Sequence, residues 1–124
     1  MKIAIIAHDG KKADMVAFLL NYKEQLNQVD LISTGTTGSH AEKAGLKVHK
    51  YLSGPLGGDA QIAAEAAEKK LDLVIFFRDP MDKHPHEPDV QMLMRLCDVH
   101  NIPLATNPAG ARLMMDSMFK MYSK

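Results

Sequence analysis

Five short apolar runs alternate with longer stretches in which apolar residues recur every three or four positions. Ile3 to Ala7 is nearly continuous in apolar character, the mark of a strand covered on both faces, and it ends at His8-Asp9-Gly10. Lys11 to Leu26 then sets Met15, Val16, Leu19, Leu20 and Leu26 on one helical stripe. A second strand, Val29 to Ser33, runs into Thr34-Gly35-Thr36-Thr37-Gly38. A short helix follows to Ala44, with Gly45 where a C-terminal cap glycine belongs. Val48 to Leu52 is more polar and suits an edge strand. It leads into Ser53-Gly54-Pro55-Leu56-Gly57-Gly58-Asp59, whose glycines and proline suit neither a helix nor a strand interior. Asp59 stands at the N-cap of the helical pattern that continues to Glu68. Leu73 to Phe77 is the strongest strand and stops at Arg78-Asp79-Pro80. After a polar loop, Asp89 caps a helix to about His100 with Val90, Leu93, Met94 and Cys97 on its buried stripe. Pro103 to Thr106 is the fifth strand, and Ala109 to Tyr122 the last helix.

Successive strand-helix units predict a parallel sheet covered on both faces by right-handed crossovers. The expected fold is α/β: one domain over residues 1–124, a doubly wound, five-stranded, mostly parallel sheet. A closed barrel would need about eight units. Composition narrows the partners. Lys+Arg and Asp+Glu are 15 each, so there is no electrostatic footprint for nucleic acid or an anionic membrane. The single Cys97 cannot form an internal disulfide and fits a reducing compartment. The first residues lack the basic and apolar regions of a signal peptide, and no apolar run is long enough to span a bilayer. The expected location is the cytoplasm.

In a parallel sheet the strand-to-helix loops share the carboxyl edge, where ligands bind. The unusual residues sort onto that edge. His8, Asp9 and Lys12 follow the first strand, and Thr34 to Gly38 the second. Ser53 to Asp59 follow the third, Asp79, His86 and Asp89 the fourth, and Thr106 and Asn107 the fifth. The opposite connections are plain by comparison. Thr34 to Gly38 is built for an anion: glycines let backbone N–H groups converge, hydroxyls add donors, and a helix follows. Ser53 and Gly54 reach the same place, and Lys12 supplies a positive charge. Asp9, Asp59, Asp79 and Asp89 crowd that rim, which makes no sense for simple anion capture, since like charges repel. It makes sense if one carboxylate removes a proton while a neutral imidazole, His8 or His86, polarises a carbonyl. His84, His40, His49 and His100 read as surface residues. No spacing around His84-Pro85-His86, Glu87 and Asp89 matches a metal-ligand pattern, so no metal is expected. The methionines of the last helix read as packing residues.

These motifs, in this order, resemble those of the methylglyoxal synthases. The likeness runs over nearly the whole chain, from His8-Asp9 and the two glycine-bearing loops to Phe76-Phe77-Arg78-Asp79-Pro80, Pro85-His86-Glu87-Pro88-Asp89 and Asn101 to Asn107. The resemblance implies conversion of dihydroxyacetone phosphate to methylglyoxal and inorganic phosphate without a cofactor, in a homohexamer. It implies Asp59 as the catalytic base and His86 as the electrophile. It further implies substrate contacts from Lys12, Thr34, Gly35, Thr36, Thr37, Ser53 and Gly54, with His8 nearby and Asp9, Asp79 and Asp89 supporting the site. Arg78 departs from the pattern, standing where many relatives carry an aromatic residue. The chain also stops short of the tail of longer members, so a cationic contact from that tail is either absent or taken over by Lys120 or a neighbouring subunit. The rival reading is a non-catalytic regulatory domain of the same fold that senses phosphate or a nucleotide. A flavodoxin-like carrier fits less well, since its phosphate loop would follow the first strand.

Overall fold

The computed structural model describes residues 1–82, 84 and 87–122, with the side chains of 121 and 122 excepted. Its elements follow the expected order. They are β1 (Lys2–Ala7), α1 (Lys12–Asn21), α2 (Lys23–Leu26), β2 (Asp30–Ser33), α3 (Gly35–Lys43), β3 (His49–Lys50), α4 (Gly58–Ala67), β4 (Leu73–Phe77), α5 (Glu87–Val99), β5 (Leu104–Ala105) and α6 (Pro108–Tyr122). The sheet order is β3-β2-β1-β4-β5, and every pairing is parallel. The most continuously apolar runs, β1 and β4, lie side by side at the centre, with Ala4 against Val74 and Ile6 against Phe76. The polar β3 takes an edge.

Side-chain alternation divides the core in two. Ile3, Ile5, Ala7, Leu73, Ile75 and Phe77 point to one face, under Met15, Phe18 and Leu19 of α1, Ala41 of α3 and Met115 of α6. Ala4, Ile6, Ile32, Val74 and Phe76 point to the other, under Ile62, Ala63 and Ala66 of α4 and Val90, Leu93 and Cys97 of α5. This division follows from handedness. The chain moves outward from β1 through β2 to β3, then crosses back to β4 and β5. Right-handed crossovers in opposite directions lie on opposite faces.

Several boundaries differ from expectation, for physical reasons. The helix expected from Lys11 to Leu26 breaks at Tyr22, whose buried phenol donates to Asp116 Oδ1 on α6 at 2.8 Å. The buried stripe is Met15, Phe18, Leu19, Tyr22 and Leu26, while Leu20 is exposed; Phe18 packs on Phe77, 5.5 Å between ring centres. Beyond Lys50 the third strand leaves the ladder, because its groups are taken elsewhere. Tyr51 N to Ser33 O of β2 is the last ladder bond; after it Gln61 Oε1 accepts from Leu52 N, and Leu52 O accepts from Gly35 N. Neither expected aspartate cap is a cap. Gly57 caps α4, with Asp59 inside the first turn, and α5 begins at Glu87, ahead of Asp89.

One polar cluster ties α4 to the sheet. Glu65, on α4 and nearly buried, takes an ion pair from Lys2 and a hydrogen bond from the Tyr51 hydroxyl. Burial alone would raise the Glu65 pKa, but these two donors outweigh it and hold the group below the usual 4.5. A depressed carboxylate stabilises the fold above its unfolded pKa and loses that contribution as pH falls through the folded value. Glu65→Gln is therefore expected to cost about 1–2 kcal/mol at neutral pH. The gap to the wild type should close as the pH falls below about 4.5. Urea unfolding at several pH values checks this; an equal gap at acid and neutral pH would mean the charge contributes nothing.

Candidate active site

The strand order reverses between β1 and β4, so the loops leaving their carboxyl ends part and open a crevice. A cavity of about 150 Å³ occupies that crevice. It is smaller than the roughly 300–1,000 Å³ usual for drug-sized ligands, which suits a small metabolite better than a nucleotide. Four segments wall it, together with His84 from the loop after β4. His8 and Asp9 come from the turn after β1, Lys12 from the start of α1, Thr34 and Thr36 from the start of α3, and Ser53, Gly54 and Asp59 from the approach to α4.

The threonine-glycine segment is not a free loop. Thr34 is the N-cap of α3, and Gly35 to Gly38 form its first turn. That turn leaves the N–H groups of Thr36 and Thr37 without intrahelical partners at the positive end of the helix. The threonines divide the work. Thr34 and Thr36 line the cavity, whereas Thr37 is buried. Thr37 Oγ1 accepts from Ala7 N at 3.1 Å and Thr34 Oγ1 at 3.3 Å, and lies 3.5 Å from Lys12 Nζ. Lys12 Nζ also donates to Ala7 O at 2.5 Å and stands 3.5 Å from Asp9 Oδ1. Burial pushes the Lys12 pKa below its ordinary value, opposed by the carboxylates of Asp9 and Asp59. A half-desolvated ammonium of this kind gains most from an incoming anion. Gly35 does not line the cavity; its N–H holds Leu52 O at 3.1 Å and so docks the third loop against α3.

Asp59 is fully buried, in the first turn of α4 and in the cavity wall. It gives its helix no capping bond, so the cap reading is set aside. Its carboxylate sits at the positive end of α4, which favours negative charge there. Two glycines place it. Gly57, the cap, has φ of 107°, and at Gly58 a side chain would run into Leu52 O. The carboxylates expected on one rim separate. Asp9 lines the cavity with its side chain in solvent, while Asp79 and Asp89 are not in its wall. Asp79 turns back into its own loop, its Oδ1 accepting from Met81 N, and Asp89 belongs to the first turn of α5.

Asp79 acts instead through its backbone. Its N–H donates to His8 Nδ1 at 2.9 Å. A nitrogen that accepts carries no proton, so His8 is neutral with its hydrogen on Nε2. Its ring is 5% exposed. His84, expected at the surface, is half-buried in the cavity wall and stacked on His8. Its place two residues before His86 was the one signal in the sequence that could have found it. His86 itself lies outside the described residues. Among the described residues no three His, Cys, Asp or Glu side chains group as metal ligands would. Arg78 stays out of the cavity wall, its guanidinium 3.5 Å from Glu87. The arrangement as a whole offers an anion cradle, a buried carboxylate and an imidazole N–H donor around one small volume. A phosphate ester with an acidic C–H beside a carbonyl is what those three could act on together.

Over most of its length the chain resembles proteins of one family. The family model described as MGS-like domain matches residues 14–106. The methylglyoxal synthase of Geobacillus sp. (strain WCH70) is 54% identical over 119 residues, covering 95% of this chain and 85% of the relative. That of Bacillus cytotoxicus is 57% identical, covering 95% of this chain and 91% of the relative. Among solved structures, the crystal structure of methylglyoxal synthase from Elizabethkingia anophelis NUHP1 superposes with a TM-score of 0.88 at 44% identity, covering 95% of this chain and 78% of that one.

Proposed function

The chain belongs to the methylglyoxal synthase family and has that family's function, and we propose that it performs it as a carbon–oxygen lyase on dihydroxyacetone phosphate. The observation that carries this reading is the single cavity shared by the Asp59 carboxylate, Lys12 and the threonine-bearing end of α3. The phosphate dianion lies against the helix end, Ser53, Gly54 and Lys12. Asp59 takes a proton from the hydroxymethyl carbon; the C–H electrons form the enediolate double bond, and the carbonyl oxygen takes the charge. The neutral His8 Nε2–H, with His86, donates to the enediolate oxygens. The enediolate electrons then expel phosphate as the C–O bond breaks, and the resulting enol tautomerises to methylglyoxal. The atoms of the substrate are those of the two products.

Orientation decides the outcome. With the C–O(phosphate) bond perpendicular to the enediolate plane, the π electrons can expel phosphate; held in the plane, the intermediate is reprotonated instead. The cradle therefore contributes selectivity as well as affinity. A non-catalytic phosphate- or nucleotide-sensing domain would have no use for a fully buried carboxylate facing an anion, since that costs binding energy. Asp79 orients the site through His8, and Asp89 supports it from α5. We extend the same reading to a homohexamer in the cytoplasm, on family likeness. Among the described residues no helix is long and apolar enough to cross a membrane.

The test is direct. Incubation with dihydroxyacetone phosphate should release inorganic phosphate and a dicarbonyl in equal amounts. Isomerisation to the aldose phosphate, with no dicarbonyl, would overturn the proposal.

A further inference from the structure

His84 is the cavity residue whose place in the chemistry is not yet accounted for. Its imidazole stacks on that of His8, with ring centroids 3.7 Å apart and planes 25° from parallel. Other contacts bear on His8 as well. The Asp79 N–H holds Nδ1 at 2.9 Å, and the Phe76 ring meets the imidazole edge-on at 5.0 Å. His84 has a second property. Among the described residues it is the one side chain common to the wall of the inner cavity and that of an outer groove of about 400 Å³. That groove is lined by Asp79, Asp82, Glu87 and Arg78, so its wall is polar and mostly acidic.

We infer that His84 is a positioning residue: its ring clamps the face of His8 so that Nε2–H stays aimed at the substrate oxygen, and its body closes the inner cavity against the outer groove. The inference rests on the site reading proposed above. The hydrogen bond at Nδ1 holds one edge of the His8 ring, Phe76 meets the ring edge-on and His84 covers its face. A flat ring is the shape that covers an imidazole face, which a branched aliphatic side chain does not match. The seal has its own consequence. Water reaching His8 from the groove would compete for Nε2–H, and it could reprotonate the enediolate before phosphate leaves.

The test uses the full-length protein, dihydroxyacetone phosphate, and the variants His84→Ala and His84→Phe. His84→Ala is expected to lower kcat about 10- to 100-fold, the usual cost of loosening a reacting group, with KM changed far less. The imidazole nitrogen resonances of His8, read by NMR, should lose the signature of a single Nε2–H tautomer. His84→Phe, which keeps the flat surface and lacks any titratable group, should restore both. Wild-type turnover and an unchanged His8 spectrum in His84→Ala would overturn the inference. So would a His84→Phe variant as impaired as the alanine, for that would assign His84 a proton or a hydrogen bond. The NMR arm needs no turnover, so it still judges the clamp if the wild type makes no methylglyoxal; that latter result would defeat the proposed reaction itself.

Discussion

Asp59→Asn is expected to lower kcat by about 10²- to 10⁴-fold, the loss that follows removal of a general base, while binding of the substrate survives. The substitution is nearly isosteric, and the site is fully buried in the first turn of α4, so the cavity keeps its shape. An amide cannot take the proton from carbon. It also removes a negative charge from beside the phosphate cradle and Lys12, so KM and the affinity for inorganic phosphate should hold or tighten. Steady-state kinetics with a parallel phosphate titration separates these effects. Exchange of substrate hydrogen with solvent should vanish with turnover, since both need the same proton abstraction. Full activity in Asp59→Asn would reassign the base. Asp89 would then be next, although the structure keeps it out of the cavity wall.

Gly58→Ala is expected to be nearly as damaging, for a different reason. A methyl group built at Gly58 would lie 1.8 Å from Leu52 O and 2.8 Å from its carbonyl carbon. Both are backbone atoms, so no rotamer change relieves the clash. Leu52 O also accepts the Gly35 N–H, so moving it pulls on the start of α3. The same displacement shifts Ser53 and Gly54 on one side and Asp59 on the other. A misplacement of about 1 Å costs on the order of 10²-fold in rate, and overpacking costs about 1–3 kcal/mol in stability. Gly57→Ala is the control. Its φ of 107° is unfavourable for alanine, but nothing stands within 4 Å of the added carbon. It should lose about 1–2 kcal/mol of stability and retain most activity. Equal activity in both variants would show that the close approach of Leu52 to α4 does not set the site.

Much of this was legible along the chain. The nearly unbroken apolar runs at Ile3 to Ala7 and Leu73 to Phe77 marked strands, and the more polar run from Val48 to Leu52 suited an edge, but the order of the strands was not legible. The gathering of small and hydroxyl-bearing residues at the start of a helix, beside the cavity, was legible too. Less could be read at the ends of elements. The Thr34 to Gly38 segment was expected as a loop ahead of a helix and is the first turn of α3. Asp59 occupies a position that reads as a cap until Gly57, in a left-handed conformation, takes that place. Tyr22 sits in an uninterrupted helical pattern, yet α1 stops at Asn21 and a second short helix starts at Lys23.

The sequence by itself determined the fold class, the two-faced core and the gathering of reactive residues at one edge. Each of those follows from periodicity and order, which are local properties of the chain. Only the tertiary structure decided which groups face one another. It turned Asp59 inward and Asp79 back on its own loop, and it set the His8 tautomer with a backbone N–H from β4's exit. It also laid His84 across that ring. The reason is physical: hydrophobic spacing records how a segment meets the core, whereas a side chain at a loop end takes its direction from neighbours brought there by other strands.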